Sequence, residues 1–466
     1  MVFSWSAMEL AQAIRAREVS SREAVESALG RIEAVNRDLN AIRVVLAEEA
    51  LAAADDADRR LAAGEEVGPL HGVPFTVKEN LDLAGSATTR GLAGLGQAIA
   101  SADAPIVAGV RAAGAIPIGR TNMSEAGFRY HTSSWIGGDT VNPWDRGRTP
   151  GGSSGGDAVA LISGMTPLGI ANDLGGSLRF PAQCCGVASL KPTFGRIAAH
   201  TEGAPELPMS MQLLQANGPM ARRVADLRPA FAAACLPDLR DPWQVPVPLT
   251  GPPLTGPIGV AVTLWDGVDP QVASGVRRAA QVLAGAGYAV QENEPPEVDR
   301  AAELWNTLAV TEFRWAWPRL GPLASEELRT VVEDGYFHLF PAPDPVAHGM
   351  AYGARKTIAA QWAHFQDESP LILAPVSAQP PFPVGWDLKA PGTTEEMVAA
   401  MRMTLPVNVL GLPAVTVPVG VQDGLPQAVQ IIGPRFREDL CLDAAETIEA
   451  AIGIHENPLY RQLLGA

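Results

Sequence analysis

The stretch that most constrains the fold runs from Thr149 to Thr193 and reads TPGGSSGGDAVALISGMTPLGIANDLGGSLRFPAQCCGVASLKPT. Two glycine-rich segments that carry serines, Gly151 to Gly156 and Gly175 to Ser177, bracket small apolar residues that predict a helix followed by a strand. Paired glycines reach positive φ and let another backbone or a ligand approach closely. A serine in such a loop has its hydroxyl beside free peptide N–H groups, the arrangement that a nucleophile and an oxyanion hole require. Successive glycines can turn amides toward one point, which makes Leu174, Gly175, Gly176 and Ser177 the candidate oxyanion donors.

The motifs GGSSGG, D-x-GGS-x-R-x-PA, C-G and LKPT, in that order, resemble the signature of the amidase signature family of serine hydrolases. The resemblance implies a triad in which Ser177 is the nucleophile, Ser153 is a bridging serine with a cis peptide bond, and Lys78 is the base. It implies an α/β fold, a large mixed and twisted central sheet covered by helices on both faces. It further implies cleavage of amide C–N bonds through an acyl-enzyme, with no cofactor and no metal. The partner is then a small-molecule amide or carbamate (urethane), aryl anilides included, and the protein a monomer or homodimer. Amide carbonyls are poor electrophiles. Neutral Lys78 would take a proton from Ser153 while Ser153 takes one from the attacking Ser177, and the reverse path would protonate the departing nitrogen. Asp173 and Arg179 flank the second loop and are read as an ion pair that braces it. Ser154 either joins the relay by a hydrogen bond or turns the loop. Three positions depart from the family pattern: Asp157 where a small residue is usual, Asn172 in place of threonine, and Ser189 in place of glycine.

Lysine usage supports the assignment of the base. Of 35 cationic residues only Lys78, Lys191, Lys356 and Lys389 are lysine. A group that must give up its own proton can be a desolvated lysine but not an arginine. In LHGVPFTVKENLD (70–82) Val73, Phe75 and Val77 alternate as in a strand that ends on Lys78. The formal charge of −16 argues against a nucleic-acid or anionic-membrane partner. Four cysteines without metal-ligand spacing fit a reducing cytoplasm. No signal-like or membrane-length apolar run occurs.

The chain is read as a single domain, 1–466, although its length also admits two closely joined lobes. Residues 6–34 predict two helices, the first capped by Ser6 and the second by the Ser20/Glu23 box, and a third covers about 46–63. This helical layer (about 1–65) precedes a signature core at about 66–240. Within the core, 103–119 predicts a helix and then a strand, and Arg120 to Glu125 resembles a family turn near the catalytic loops. Phe128, Tyr130 and Trp135, in a loop-like segment (128–138) that is short of charge, are candidates for the substrate pocket as much as for plain packing. The proline-rich 241–257 reads as a surface connection. A strand (IGVAV), a helix opened by Asp269-Pro270 and another strand follow. Residues of about 300–370 predict a helical region, which in the family shapes substrate access. Runs at 371–383, 406–420 and 425–433 are strand-like, and 438–452 is a terminal helix.

Rival readings fail on particular residues. G-x-S-x-G, centred on Ser153 or Ser154, would suit an α/β-hydrolase esterase, yet NPWDRGRTP before it cannot be the required apolar strand. A phosphate-binding loop lacks G-K-[ST]. The glutamine-hydrolysing subunit of a tRNA-dependent amidotransferase shares the family pattern and stands as the alternative. The scarcity of lysine and the aromatic segments favour a free-standing hydrolase.

Overall fold

Ser6 and Ser20 each close a capping box, with Glu9 and Glu23, and so start α1 (Ala7–Ala16) and α2 (Ser21–Leu39). The computed structural model describes residues 2–203, 207–453 and 457. Among them α3 (Ala47–Ala62) completes the N-terminal helical layer. Between α2 and α3 lies a short strand, Ile42–Val45, that the sequence pattern did not announce. Its four residues are too few for a legible period, and pairing with another strand is what makes them extended.

Eleven strands form one mixed sheet. In chain order they are β1 (Ile42–Val45), β2 (Pro74–Lys78), β3 (Ile116–Thr121), β4 (Leu168–Asp173), β5 (Ala188–Lys191), β6 (Ala216–Ala221), β7 (Gly259–Val262), β8 (Ala289–Glu292), β9 (Leu371–Pro375), β10 (Ala414–Gln422) and β11 (Leu425–Ile432). Their spatial order is β1-β3-β2-β4-β6-β5-β10-β11-β9-β7-β8. The pairs β2–β3, β2–β4, β9–β7 and β7–β8 are parallel, and the remaining pairs are antiparallel. The proline-rich connection carries no regular element and is held by Arg196, which donates to the carbonyls of Val247 and Pro248. Strands from both sides of it enter the same sheet.

Helices cover both faces. One face carries α2, α3, the helices Gly155–Ile162 and Arg179–Cys185, and most of the helical region from Val298 to Glu368. The other carries α1 and the helices Pro105–Ala112, Val224–Ala234, Pro270–Gly285 and Glu438–Ile452. Along β2, Phe75 and Val77 point into the second layer, so Thr76 and Lys78 face the first.

Two strand readings need correction, and of 371–383 only Leu371–Pro375 is strand. Residues 406–420 are not a single extended run: Leu405–Val409 is a helix, and the strand begins only at Ala414. Pro406 sits in the first turn of that helix, and Val407, Val409 and Leu410 are buried on several sides. A helix apolar all round has no amphipathic period to distinguish it from a buried strand.

The helix Gly155–Ile162 packs so tightly that a Cβ on Gly156 would lie 2.2 Å from the Asn122 carbonyl oxygen and 2.7 Å from that of Ala41. Gly156→Ala is therefore expected to cost on the order of 3 kcal/mol in denaturant unfolding. Gly353→Ala, in the helix Pro345–Glu368 with nothing within 4 Å of the new methyl, is expected to stabilise by about 1 kcal/mol.

Candidate active site

Lys78 ends β2, a central strand buried along its whole length. Just beyond it the chain turns, and the Arg120 guanidinium holds the turn by donating to the carbonyls of Glu79 at 3.0 Å and Leu81 at 2.7 Å. Glu79 pairs in turn with Arg43. The fully buried Lys78 Nζ lies 2.8 Å from Ser153 Oγ and 2.8 Å from Asn172 Oδ1. Asn80 Nδ2 donates to the same Asn172 oxygen at 3.2 Å, which orients the amide with its oxygen toward the lysine. Burial pushes the Lys78 ammonium well below the usual lysine range, against the opposing carboxylates of Asp157 and Asp173. A neutral amine suits these partners: it donates to Asn172 and has a lone pair free for the Ser153 hydroxyl proton.

The first glycine loop presents Ser153 through a cis Gly152–Ser153 peptide bond. Residues 121–134 clamp this loop. Thr132 Oγ1 donates to the Gly151 carbonyl at 2.8 Å and accepts the Gly155 amide at 2.9 Å, while the Ser124 amide donates to the Ser153 carbonyl at 3.2 Å. Ser154 Oγ is buried with no hydrogen-bond partner among the described residues, so this hydroxyl shares in no relay hydrogen bond here.

The second loop is built around Asp173. Its carboxylate accepts the amides of Gly176 at 2.8 Å and Leu178 at 3.1 Å, and accepts from Nε and Nη2 of the Arg179 guanidinium at 3.0 and 3.1 Å. Arg179 reaches on to Thr404, Asn408 and Gln430, and both ions are wholly buried. Burial alone would raise the Asp173 carboxyl, but Arg179, Lys191 and the Asn408 amide outweigh it and hold the group below the usual carboxylate range. Two rings fix the loop carbonyls: Trp305 Nε1 donates to Leu174 at 2.8 Å and Tyr130 OH to Gly175 at 3.0 Å.

This geometry corrects the oxyanion set. The Gly176 amide is already given to Asp173, and the positive φ of Gly176 (108°) is what turns it there. The amides of Leu174, Gly175 and Ser177 donate to no acceptor among the described residues.

Ser177 lines a narrow pocket with Phe128, Tyr130, Leu174, Trp305 and Tyr336. Gly127 lines it too, and a methyl there would lie 3.7 Å from Ser153 Oγ. Phe128 stacks on Phe313, which extends the aromatic wall into the helical region. Trp135 does not join this wall. It is 62% exposed and lines a separate hollow with Ser325 and Arg329.

The family described as Amidase matches residues 23–442. The chain belongs to the amidase signature family. It is accordingly an amide hydrolase, and its eleven-stranded mixed sheet matches solved family structures. An indoleacetamide hydrolase of Bradyrhizobium diazoefficiens is 42% identical over 99% of this chain and 89% of that protein. The structure of 6-aminohexanoate cyclic dimer hydrolase superposes with a TM-score of 0.84 at 26% identity, over 98% of this chain and 99% of that one. A bacterial aryl acylamidase gives a TM-score of 0.83 at 26% identity, over 96% of each chain.

Several residues of this amidase site escaped the sequence reading. Asn80 and Asn172 stand two and one positions from residues that were singled out, and Asn172 was noticed only as a departure. Arg120 stood out only as the first residue of a family-like turn and Trp305 only as part of the helical region, while Tyr336, Asn408 and Gln430 carried no local signal, because their roles depend on contacts distant in sequence.

Arg179→Met should leave Asp173 charged and unpaired in the interior. The expected loss is about 3–5 kcal/mol of folding stability, read as a lower denaturant midpoint at neutral pH.

Proposed function

We propose that Ser177, Ser153 and Lys78 act as one proton relay for amide hydrolysis. The observation that carries this reading is the buried Lys78 Nζ, 2.8 Å from Ser153 Oγ and at the end of an apolar strand. Ser177 Oγ attacks the carbonyl carbon, its proton passes to Ser153, and the Ser153 proton passes to neutral Lys78. The tetrahedral oxyanion takes hydrogen bonds from the free amides among Leu174, Gly175 and Ser177. Collapse expels the nitrogen, which receives the proton back along the relay, and leaves an ester on Ser177. Water then enters by the same route and releases the acid.

For substrate we propose aromatic primary amides of the arylacetamide type. The 42% identity with an indoleacetamide hydrolase supports this choice, as does a pocket walled by Phe128, Tyr130, Trp305 and Tyr336. Aryl anilides and carbamates present the same acyl chemistry and are the neighbouring classes. A turnover screen over indole-3-acetamide, glutamine, anilides, carbamates and esters tests the assignment. The arylacetamide should give the highest kcat/KM, and a preference for glutamine would replace this reading with the amidotransferase one.

Ser177→Ala and Lys78→Ala are each expected to lower kcat by on the order of 1,000-fold or more with an unchanged melting curve. Wild-type-like turnover in either variant refutes the relay. Because burial holds Lys78 below its usual range, the active neutral form gains population as pH rises through that lowered value. The acidic limb of kcat/KM should accordingly lie well below the titration of a solvated lysine, near 10.4.

A further inference from the structure

Behind the relay lies a second buried ionisable group that the proposed mechanism leaves unused. Asp157 is the third residue of the helix Gly155–Ile162 and is wholly buried. Its carboxylate faces the sheet: Oδ2 accepts from Thr121 Oγ1 at 2.8 Å, and Oδ1 lies 3.5 Å from Thr76 Oγ1. Sheet register makes this placement meaningful. Thr121 pairs directly with Lys78 in the parallel β2–β3 ladder, and Thr76 precedes Lys78 by two residues on the same strand. All three side chains therefore stand on one face, and the Asp157 carboxylate is set against it. Gly169, the partner of Thr76 on β4, leaves the space: a Cβ there would lie 3.1 Å from Asp157 Oδ1.

The other charges around this helix have their own partners. Asp173 is held by Arg179, Arg43 pairs with Glu79, and Arg120 donates to backbone carbonyls next to Glu79. Arg31 donates to the Ser163 carbonyl at the far end of the helix, and burial keeps the thiols of Cys184 and Cys185 protonated. That leaves Asp157 with no contacting cation among the described residues and Lys78 as the cation on the same sheet face, its Nζ contacts given to Ser153 and Asn172.

Building on the assignment of Lys78 as base, we propose that Asp157 is a positioning residue that sets the charge state of Lys78, the two groups holding one proton between them at working pH. When the proton is on the carboxyl, the lysine is neutral and able to accept from Ser153, and both buried groups are uncharged. When it is on the lysine, the pair is an ion pair without direct contact. The proton count is the same in both forms, so the base is made ready with no net loss of a proton to solvent. Burial favours the neutral form of each partner, lowering the lysine and raising the carboxyl.

The test is the pH dependence of inactivation by a fluorophosphonate, a probe of nucleophile activation that needs no knowledge of the substrate. In Asp157→Asn the lysine loses the carboxylate that favours its charged form. The acidic limb should then move to lower pH by about one unit or more and follow a single ionisation. Asp157→Ser, which removes the charge in a smaller side chain, should shift the limb the same way, with melting curves to show that both variants are folded. A purely structural role would change the amplitude or the melting point and leave the limb in place. If folded Asp157→Asn or Asp157→Ser keeps the wild-type limb, the inference is overturned. Labelling of Lys78→Ala at the wild-type rate would instead overturn the assignment of the base, so the two failures are distinguishable.

Discussion

The structure depends on keeping one amine dry. Lys78 sits at the end of a strand flanked on both sides by parallel neighbours, with apolar side chains below and the first glycine loop above. Water would solvate the ammonium and return the lysine to its ordinary basicity; burial withdraws that support. The cost of withdrawing it is offset by two oxygen acceptors at 2.8 Å from Nζ, the Asn172 amide oxygen and the Ser153 hydroxyl. The shape of the surrounding loops follows from that requirement.

The second loop meets a different demand, to keep peptide amides aimed inward while burying an ion pair. Asp173 and Arg179 are six residues apart and close the loop on themselves. Their remaining valences are taken by Asn408, Gln430 and the Thr404 carbonyl from the C-terminal part of the chain. A buried pair of this kind adds little stability over an apolar replacement, but it cannot lose one member cheaply. Its value lies in geometry, since the same carboxylate that binds Arg179 also accepts Gly176 and Leu178 and so sets the direction of the loop backbone.

The chemical loops and the pocket walls come from different parts of the fold. The second loop follows β4 and is held by the Asp173–Arg179 pair, while the first precedes the helix Gly155–Ile162 and is clamped by Ser124 and Thr132. The walls are aromatic rings, two of them, Trp305 and Tyr336, from the helical region beyond residue 298. Trp305 joins the two levels, since its indole N–H holds the Leu174 carbonyl while its ring lines the pocket.

The sequence by itself determined the loop chemistry and most of the elements. Glycine pairs, capping boxes and the end of an apolar strand on Lys78 are local signals, and each is readable because its physical cause lies within a few residues. The pairing of Asp173 with Arg179 was legible for the same reason. What only the tertiary structure decided is everything that depends on distant neighbours. Residues 42–45 became a strand because β3 pairs with them, and residues 405–409 became a helix although their apolar run fits a strand equally well. Gly176, read as an oxyanion donor, proved to be committed to Asp173, while Trp135, read as a pocket wall, stands in a separate hollow. Asn172 and Asp157 looked like minor departures until sheet register set one beside the lysine amine and the other against the same sheet face. Burial and charge partnership are properties of packed neighbours, and no local pattern of residues encodes them.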